Sequence, residues 1–166
     1  AQGHRRYAFL SALAEGQLDG QRTRLFAELM EARAGTGEGR HEMLRCGPEM
    51  EDAFGVMKAR FSAGDLPTAV VALNDISALA SIRAARECGL RVPEDLSVVG
   101  VDNVPFGQYL AHALTTIAQP IERMAVTAWD LILSRIESGK ELGAPRQVVY
   151  PTELVVRESV GACPSR

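Results

Sequence analysis

The run Ala69-Val70-Val71-Ala72-Leu73, which ends in Asn74-Asp75, and its counterpart Leu96-Ser97-Val98-Val99-Gly100-Val101, which ends in Asp102-Asn103, decide the fold. Neither alternates apolar with polar residues as a half-exposed strand would, so both read as strands covered on two faces within a parallel sheet. Between them Ile76, Leu79, Ala80 and Ile82 recur at helical spacing, and Gly89 followed by Pro93 closes the helix. Strand, helix and strand in this order predict a β-α-β unit with a right-handed crossover.

The alternation continues outward. Residues 7–10 read as a short strand, and 21–34 as a helix carrying Leu25 with Leu29 and Phe26 with Met30 at spacing four. Gly35-Thr36-Gly37-Glu38-Gly39 interrupts regular structure, and 41–46 suits an edge strand. Met50, Ala53, Phe54, Met57 and Phe61 form one face of the next helix. Beyond the central unit, 105–112 reads as a loop or short helix and 114–118 as a strand. Pro120 then opens a helix with Ile121, Met124, Ala125, Ala128, Leu131 and Ile132 on its apolar face, stopped by Gly139. Residues 148–150 and 154–156, divided by Pro151, are expected to be closing strands.

Composition narrows the function. With 166 residues, 46% apolar and 23% charged, the chain suffices for one domain or two small lobes. A net charge of −3 argues against a surface that itself grips a phosphate backbone. No apolar run approaches the ~18 residues of a membrane span, so no membrane partner is expected. Cys46, Cys88 and Cys163 are odd in number and widely spaced, which suits a reducing, cytoplasmic compartment better than a disulfide framework.

In an open parallel sheet, ligands bind outside the carboxyl ends of the strands, where loops and helix starts bring unpaired N–H groups together. Asn74-Asp75 and Asp102-Asn103 fall at that edge. Their amide and carboxylate groups suit adjacent hydroxyls or a base edge. The alternative is that Asp75 caps its helix and Asp102 starts a turn. No catalytic set competes. His4, His41 and His112 lack metal-ligand spacing, the cysteines lack a nucleophile's setting, and the glycine tract lacks the Lys-Ser/Thr ending of a phosphate loop. An enzymatic reading would use Asp75 and Asp102 as a metal or phosphoryl site, with divalent-ion dependence as its signature. The chain is therefore read as a non-enzyme needing no cofactor or metal.

Three phrases carry a family resemblance: Pro67-Thr68-Ala69-Val70-Val71-Ala72-Leu73-Asn74-Asp75, the stretch from Gly89-Leu90-Arg91-Val92-Pro93-Glu94-Asp95 to Val101-Asp102-Asn103, and Leu114-Thr115-Thr116-Ile117-Ala118-Gln119-Pro120. Together, in this order, they resemble the effector-binding core of LacI/GalR-type transcription repressors. His4-Arg5-Arg6-Tyr7-Ala8-Phe9 is similar to a strand opener of that family, and Leu154-Val155-Val156-Arg157-Glu158-Ser159 to its terminal strand. The resemblance implies a periplasmic-binding-protein-like α/β fold, in which two lobes close on a small molecule. It implies a remnant of the first lobe over 1–36, the second lobe over 37–150, and a closing strand and tail over 151–166. DNA would be bound only through a headpiece preceding this segment.

By the same resemblance Arg24, Asn74, Asp102 and Gln119 are the expected ligand-binding residues, and the effector is expected to be a sugar or related polar metabolite. Gly47-Pro48-Glu49 stands where many relatives place a stacking aromatic, and Val101 replaces the commoner aromatic before Asp102. A homodimer is expected through the helix from Ile76 and the loop carrying Phe106, Tyr109 and Leu110. Tyr7, Phe9, Leu25, Phe26 and Leu29 are expected to pack on the second lobe or on a neighbouring chain, or else to stay mobile. An import receptor of the same fold is the alternative, and the sequence upstream of the segment would separate the two.

Overall fold

The computed structural model describes residues 2–11, 20–34, 39–138 and 146–165. Six strands, β1 (Arg6–Ser11), β2 (Arg40–Arg45), β3 (Ala69–Ala72), β4 (Ser97–Val101), β5 (Thr115–Ala118) and β6 (Glu153–Val155), form one sheet in the order β2-β1-β3-β4-β5-β6. The first five are parallel, and β6 runs antiparallel to β5. Four α-helices accompany them: α1 (Gln21–Ala34), α2 (Met50–Ser62), α3 (Asp75–Glu87) and α4 (Ile121–Ser138).

The strand order follows from handedness. The chain steps outward from β1 to β2, then back past β1 to β3 and on to β4. Right-handed crossovers in opposite directions put α1 on one face and α2 with α3 on the other. Phe9 of β1 stacks on Phe26 of α1 with ring centroids 4.5 Å apart. Ala8, Leu10, Val70, Ala72, Val98, Met57, Phe61 and Ala84 fill the sheet and its helix-covered faces.

Of residues 1–36, expected as a remnant of a separate lobe, the described part is β1 and α1, and β1 does not stand apart. The strand they supply, β1, lies inside the sheet, bonded to β2 on one side and β3 on the other. Sequence order suggested a beginning, but pairing made it the second strand. The buried side of α1 also differs from expectation: Thr23 is buried and Phe26, Ala27 and Met30 are half-buried, while Leu25 and Leu29 are 47% and 63% exposed.

The C-terminal part departs further. Ile121, Met124 and Ile132 of the expected apolar face of α4 are exposed, as are Val126, Trp129 and Ile136, while Leu131 is half-buried and Tyr150 meets the helix through the Thr127 hydroxyl and the Arg123 guanidinium. Residues 148–150 form no strand. Only β6 closes the sheet, and the following tail is bonded to it: the Ser159 hydroxyl donates to the Val98 carbonyl at 2.6 Å and accepts from the Thr115 N–H at 2.8 Å.

Candidate ligand-binding edge

The polar groups at the carboxyl ends of β3, β4 and β5 are held in three different ways. Asn74 is the N-cap of α3, where its Oδ1 accepts the Ser77 N–H at 2.8 Å and satisfies one orphan donor of the first turn. The next residue, Asp75, does not cap. Its buried carboxylate accepts the Val104 N–H at 2.8 Å and the Thr116 hydroxyl at 2.6 Å, joining α3 to the loop after β4 and to β5. Burial pushes its pKa up, against the hydrogen bonds from Thr116 and Val104, which lower it. Asp75 thus braces α3 against the loop after β4 and against β5, and the cap of α3 is Asn74 instead. Among the described residues no cluster of His, Cys, Asp or Glu is arranged to hold a metal ion.

Asp102 and Asn103 both have positive φ, 114° and 57°. A non-glycine residue in this region carries backbone strain of about 1 to 3 kcal/mol, which persists where the surroundings over-determine it. Here the surroundings are specific. The Asp102 N–H donates to the Ile117 carbonyl at 2.9 Å, and its Oδ1 accepts the Gln119 side-chain amide at 2.7 Å. Oδ2 of this half-buried carboxylate makes no hydrogen bond or ion pair among the described residues. Asn103 turns away from the edge: its Oδ1 accepts Arg157 at 2.7 Å, and the same guanidinium donates to the Leu114 carbonyl at 2.7 Å.

Of the four residues expected to bind ligand, the fold joins Asp102 and Gln119 by a direct hydrogen bond. Asn74 ends the neighbouring strand with its oxygen occupied. Arg24, in the first turn of α1, lines a cleft further along the same carboxyl edge, at the ends of β1 and β2, with Ser11, Thr23, Ala27, Met43, Leu44 and Arg45. The arginine that reaches the edge beside Asn74 is Arg22, whose guanidinium donates to the Leu73 carbonyl at 2.9 Å. Sequence reading missed it because two arginines separated by one residue look alike in the Arg22-Thr23-Arg24 triplet. They point to different sides of a helix that turns about 100° per residue.

A mostly parallel α/β sheet with a strained carboxylate and an amide paired at its carboxyl edge defines a ligand-binding domain. The chain belongs to the periplasmic binding protein-like domain family, which it matches over residues 1–160. Its relatives are LacI/GalR-type regulators, and it corresponds to their effector-binding region. The HTH-type transcriptional repressor PurR of Erwinia tasmaniensis is 44% identical over 118 residues, which are 71% of this chain and 34% of that protein. The chain thus spans about a third of the length of this curated relative. The dimeric Lac repressor with an 11-residue C-terminal deletion superposes with a TM-score of 0.78 at 28% identity, covering 99% of this chain and 58% of that one. The LacI family transcriptional regulator from Lactobacillus casei, solved with bound sucrose, superposes with a TM-score of 0.77 at 27% identity, covering 96% and 58%. Among the described residues no helix is long and apolar enough to cross a membrane.

Proposed function

We propose that this effector-binding region senses a small polyhydroxylated metabolite, such as a sugar, for a cytoplasmic, non-enzymatic, DNA-binding regulator. The observation that carries the reading is the Asp102–Gln119 pair. A half-buried hydrogen bond from Gln119 fixes one carboxylate oxygen and leaves the other to accept from a ligand hydroxyl, at a position of positive φ. Arg22 and Asn74 flank this pair beside the end of β3, and Arg24, by the ends of β1 and β2, completes the proposed set together with Arg22. The bound sucrose of the Lactobacillus casei relative supports the ligand class.

The largely exposed apolar side of α4 supports a two-lobe arrangement in which the sheet of β1 to β6 is one lobe and α4 packs on the other. Effector held between the lobes would favour one arrangement of them, and pairing of two chains, as in the dimeric Lac repressor, would carry the change to DNA-reading headpieces. Coupling of this kind requires unequal effector affinity in the two states. The sign, inducer or corepressor, follows from which state binds better.

Calorimetry of the full-length regulator against a panel of sugars tests the reading. Asp102→Ala is expected to weaken the cognate sugar by roughly 1 to 3 kcal/mol, up to about a hundredfold, because ligand donors lose their acceptor. DNA binding without effector should change little if the effector is an inducer. An unaltered dissociation constant in a stably folded Asp102→Ala protein would move the site away from β4.

A further inference from the structure

The amino edge of the sheet, opposite the ligand-binding edge, carries a charged cleft that the effector reading does not use. Arg6 opens β1 and Arg40 opens β2, and parallel register sets the two directly opposite each other, so both side chains leave the same face of the sheet. Like charges at opposed positions repel, and an unrelieved pair here would weaken the β1–β2 ladder. One exposed carboxylate relieves it: Asp65 Oδ1 accepts Arg40 Nη2 at 2.9 Å and Arg6 Nη1 at 3.2 Å. Asp65 does so with φ at 41°, in the left-handed region that a non-glycine residue enters at a cost in strain.

A third guanidinium frames the cleft without adding to its charge. Arg60, in the last turn of α2, donates through Nε to both oxygens of Glu42 at 2.7 and 2.8 Å, and its Nη groups donate to the Gly64 and Asp65 carbonyls at 2.9 Å. These bonds fix the turn that carries Asp65 and leave Arg60 and Glu42 neutral as a pair. The cleft encloses about 130 Å³, which at about 30 Å³ per water is room for roughly four waters, the size of a tetrahedral oxyanion. The Asp65 side chain is 63% exposed, and an exposed ion pair adds little stability, so its carboxylate can swing into water at small cost. With Asp65 withdrawn, Arg6 and Arg40 bring two positive charges to the cleft, and a dianion whose oxygens take paired N–H donors balances them.

We propose that this cleft binds a small tetrahedral dianion of the phosphate class, with the Asp65 carboxylate as the internal group that the ion displaces. The strand β1 is six residues long, so at about 3.3 Å per residue its two ends, and with them the two edges of the sheet, lie about 16 Å apart. The site therefore stands or falls independently of the effector reading.

The test is calorimetry of the full-length regulator with sodium phosphate at about pH 8, where the ion is mostly the dianion, against sodium chloride at matched ionic strength. A saturable site is expected in phosphate and not in chloride, with a dissociation constant of about 1 mM, inside the ligand-efficiency bound for an ion of about five heavy atoms. Arg40→Gln should weaken phosphate at least about tenfold, since one of the two balancing charges is gone. Asp65→Asn should tighten it at least about threefold, because the amide tolerates positive φ and no longer competes for the guanidinium groups. That sign separates ion binding from a purely structural role, since a carboxylate that only orders the two arginines would, once neutralised, loosen any ion they hold. Both positions are exposed, so both variants should melt near wild type, which keeps lost binding apart from lost folding. Asp102→Ala should leave phosphate binding unchanged. Glycerol phosphate separates two sources within the proposal: equal affinity assigns the phosphate group of a metabolite, and binding at least about tenfold weaker assigns the free ion. No saturable heat up to about 20 mM, full affinity in Arg40→Gln, or unchanged or weaker binding in Asp65→Asn would overturn the proposal and leave the cleft as a salt-bridged brace between β1 and β2.

Discussion

Gly100→Ala probes the joint between the sheet and the ligand-binding edge. Gly100 sits on β4, two residues before Asp102, and a Cβ added there would fall inside contact distance of Asp75 Oδ1, 3.1 Å from Asp75 Cα and 3.2 Å from Ala78 Cβ. Two of these three neighbours, the Asp75 backbone and the Ala78 side chain, belong to the start of α3 and cannot rotate aside. The Asp75 carboxylate can, but only by leaving the Val104 N–H and the Thr116 hydroxyl. Two buried groups left unsatisfied cost about 1 to 3 kcal/mol each, and overpacking against the helix start adds about 1 to 3 kcal/mol. Partial relaxation lowers the sum, and a loss of about 3 to 5 kcal/mol is expected, a large share of the 5 to 15 kcal/mol typical of a domain. Urea denaturation followed by far-ultraviolet circular dichroism reads it as a lower midpoint at unchanged slope. Gly100→Ala should cost less in an Asp75→Ala background than in wild type, since the two hydrogen bonds it would displace are already absent there. A Gly100→Ala protein within about 0.5 kcal/mol of wild type would show that α3 does not press on β4, and the account of Asp75 as the bracing group would fail.

Three further outcomes follow from the contacts. Because burial raises the folded pKa of Asp75 above its ordinary 3.8, ionisation opposes folding. Relative to Asp75→Asn, wild type should therefore lose stability as pH rises from about 3.8 through the folded value, then level off; denaturation midpoints that diverge in the opposite direction would refute this. Arg157→Lys should destabilise by about 1 to 3 kcal/mol, because one ammonium cannot span both the Leu114 carbonyl and Asn103 Oδ1 as the guanidinium fork does; a melting curve matching wild type would show the fork to be dispensable. Trp129, the single tryptophan, is 61% exposed on α4. Its fluorescence should be water-like in this segment and blue-shifted in the full-length regulator, whereas identical spectra would show that nothing covers α4 there.

Periodicity made most elements legible. The apolar runs of β3 and β4, the cap-to-glycine span of α3 and the edge placement of β2 all come from local patterns, because a strand buried on two faces and an amphipathic helix each impose a spacing that does not depend on distant residues. The same patterning misled at α1 and α4. Leu25 and Leu29 keep helical spacing, yet the covered side of α1 is the one that Phe26 shares with Phe9. Ile121, Met124 and Ile132 share an apolar side that is largely exposed, since an apolar face says that a helix wants a partner and not where the partner lies.

At the edge, residue types were readable and their partners were not. Asp102 and Gln119 stood out as polar strand ends, and their hydrogen bond exists only because β4 and β5 pair in register. Asn74 and Asp75 adjoin in sequence, but one caps a helix and the other braces a loop and a strand. Arg22 and Arg24 differ by one intervening residue, and the turn of α1 sends one to the Leu73 carbonyl and the other to the cleft at the ends of β1 and β2. The sequence by itself determined the alternation of strands and helices, the two-sided burial of the central strands and the polar character of their ends, because each depends on neighbours a few residues apart. Only the tertiary structure decided that β1 lies between β2 and β3, and which part of the edge each arginine meets, because those depend on distances between segments that local spacing does not encode.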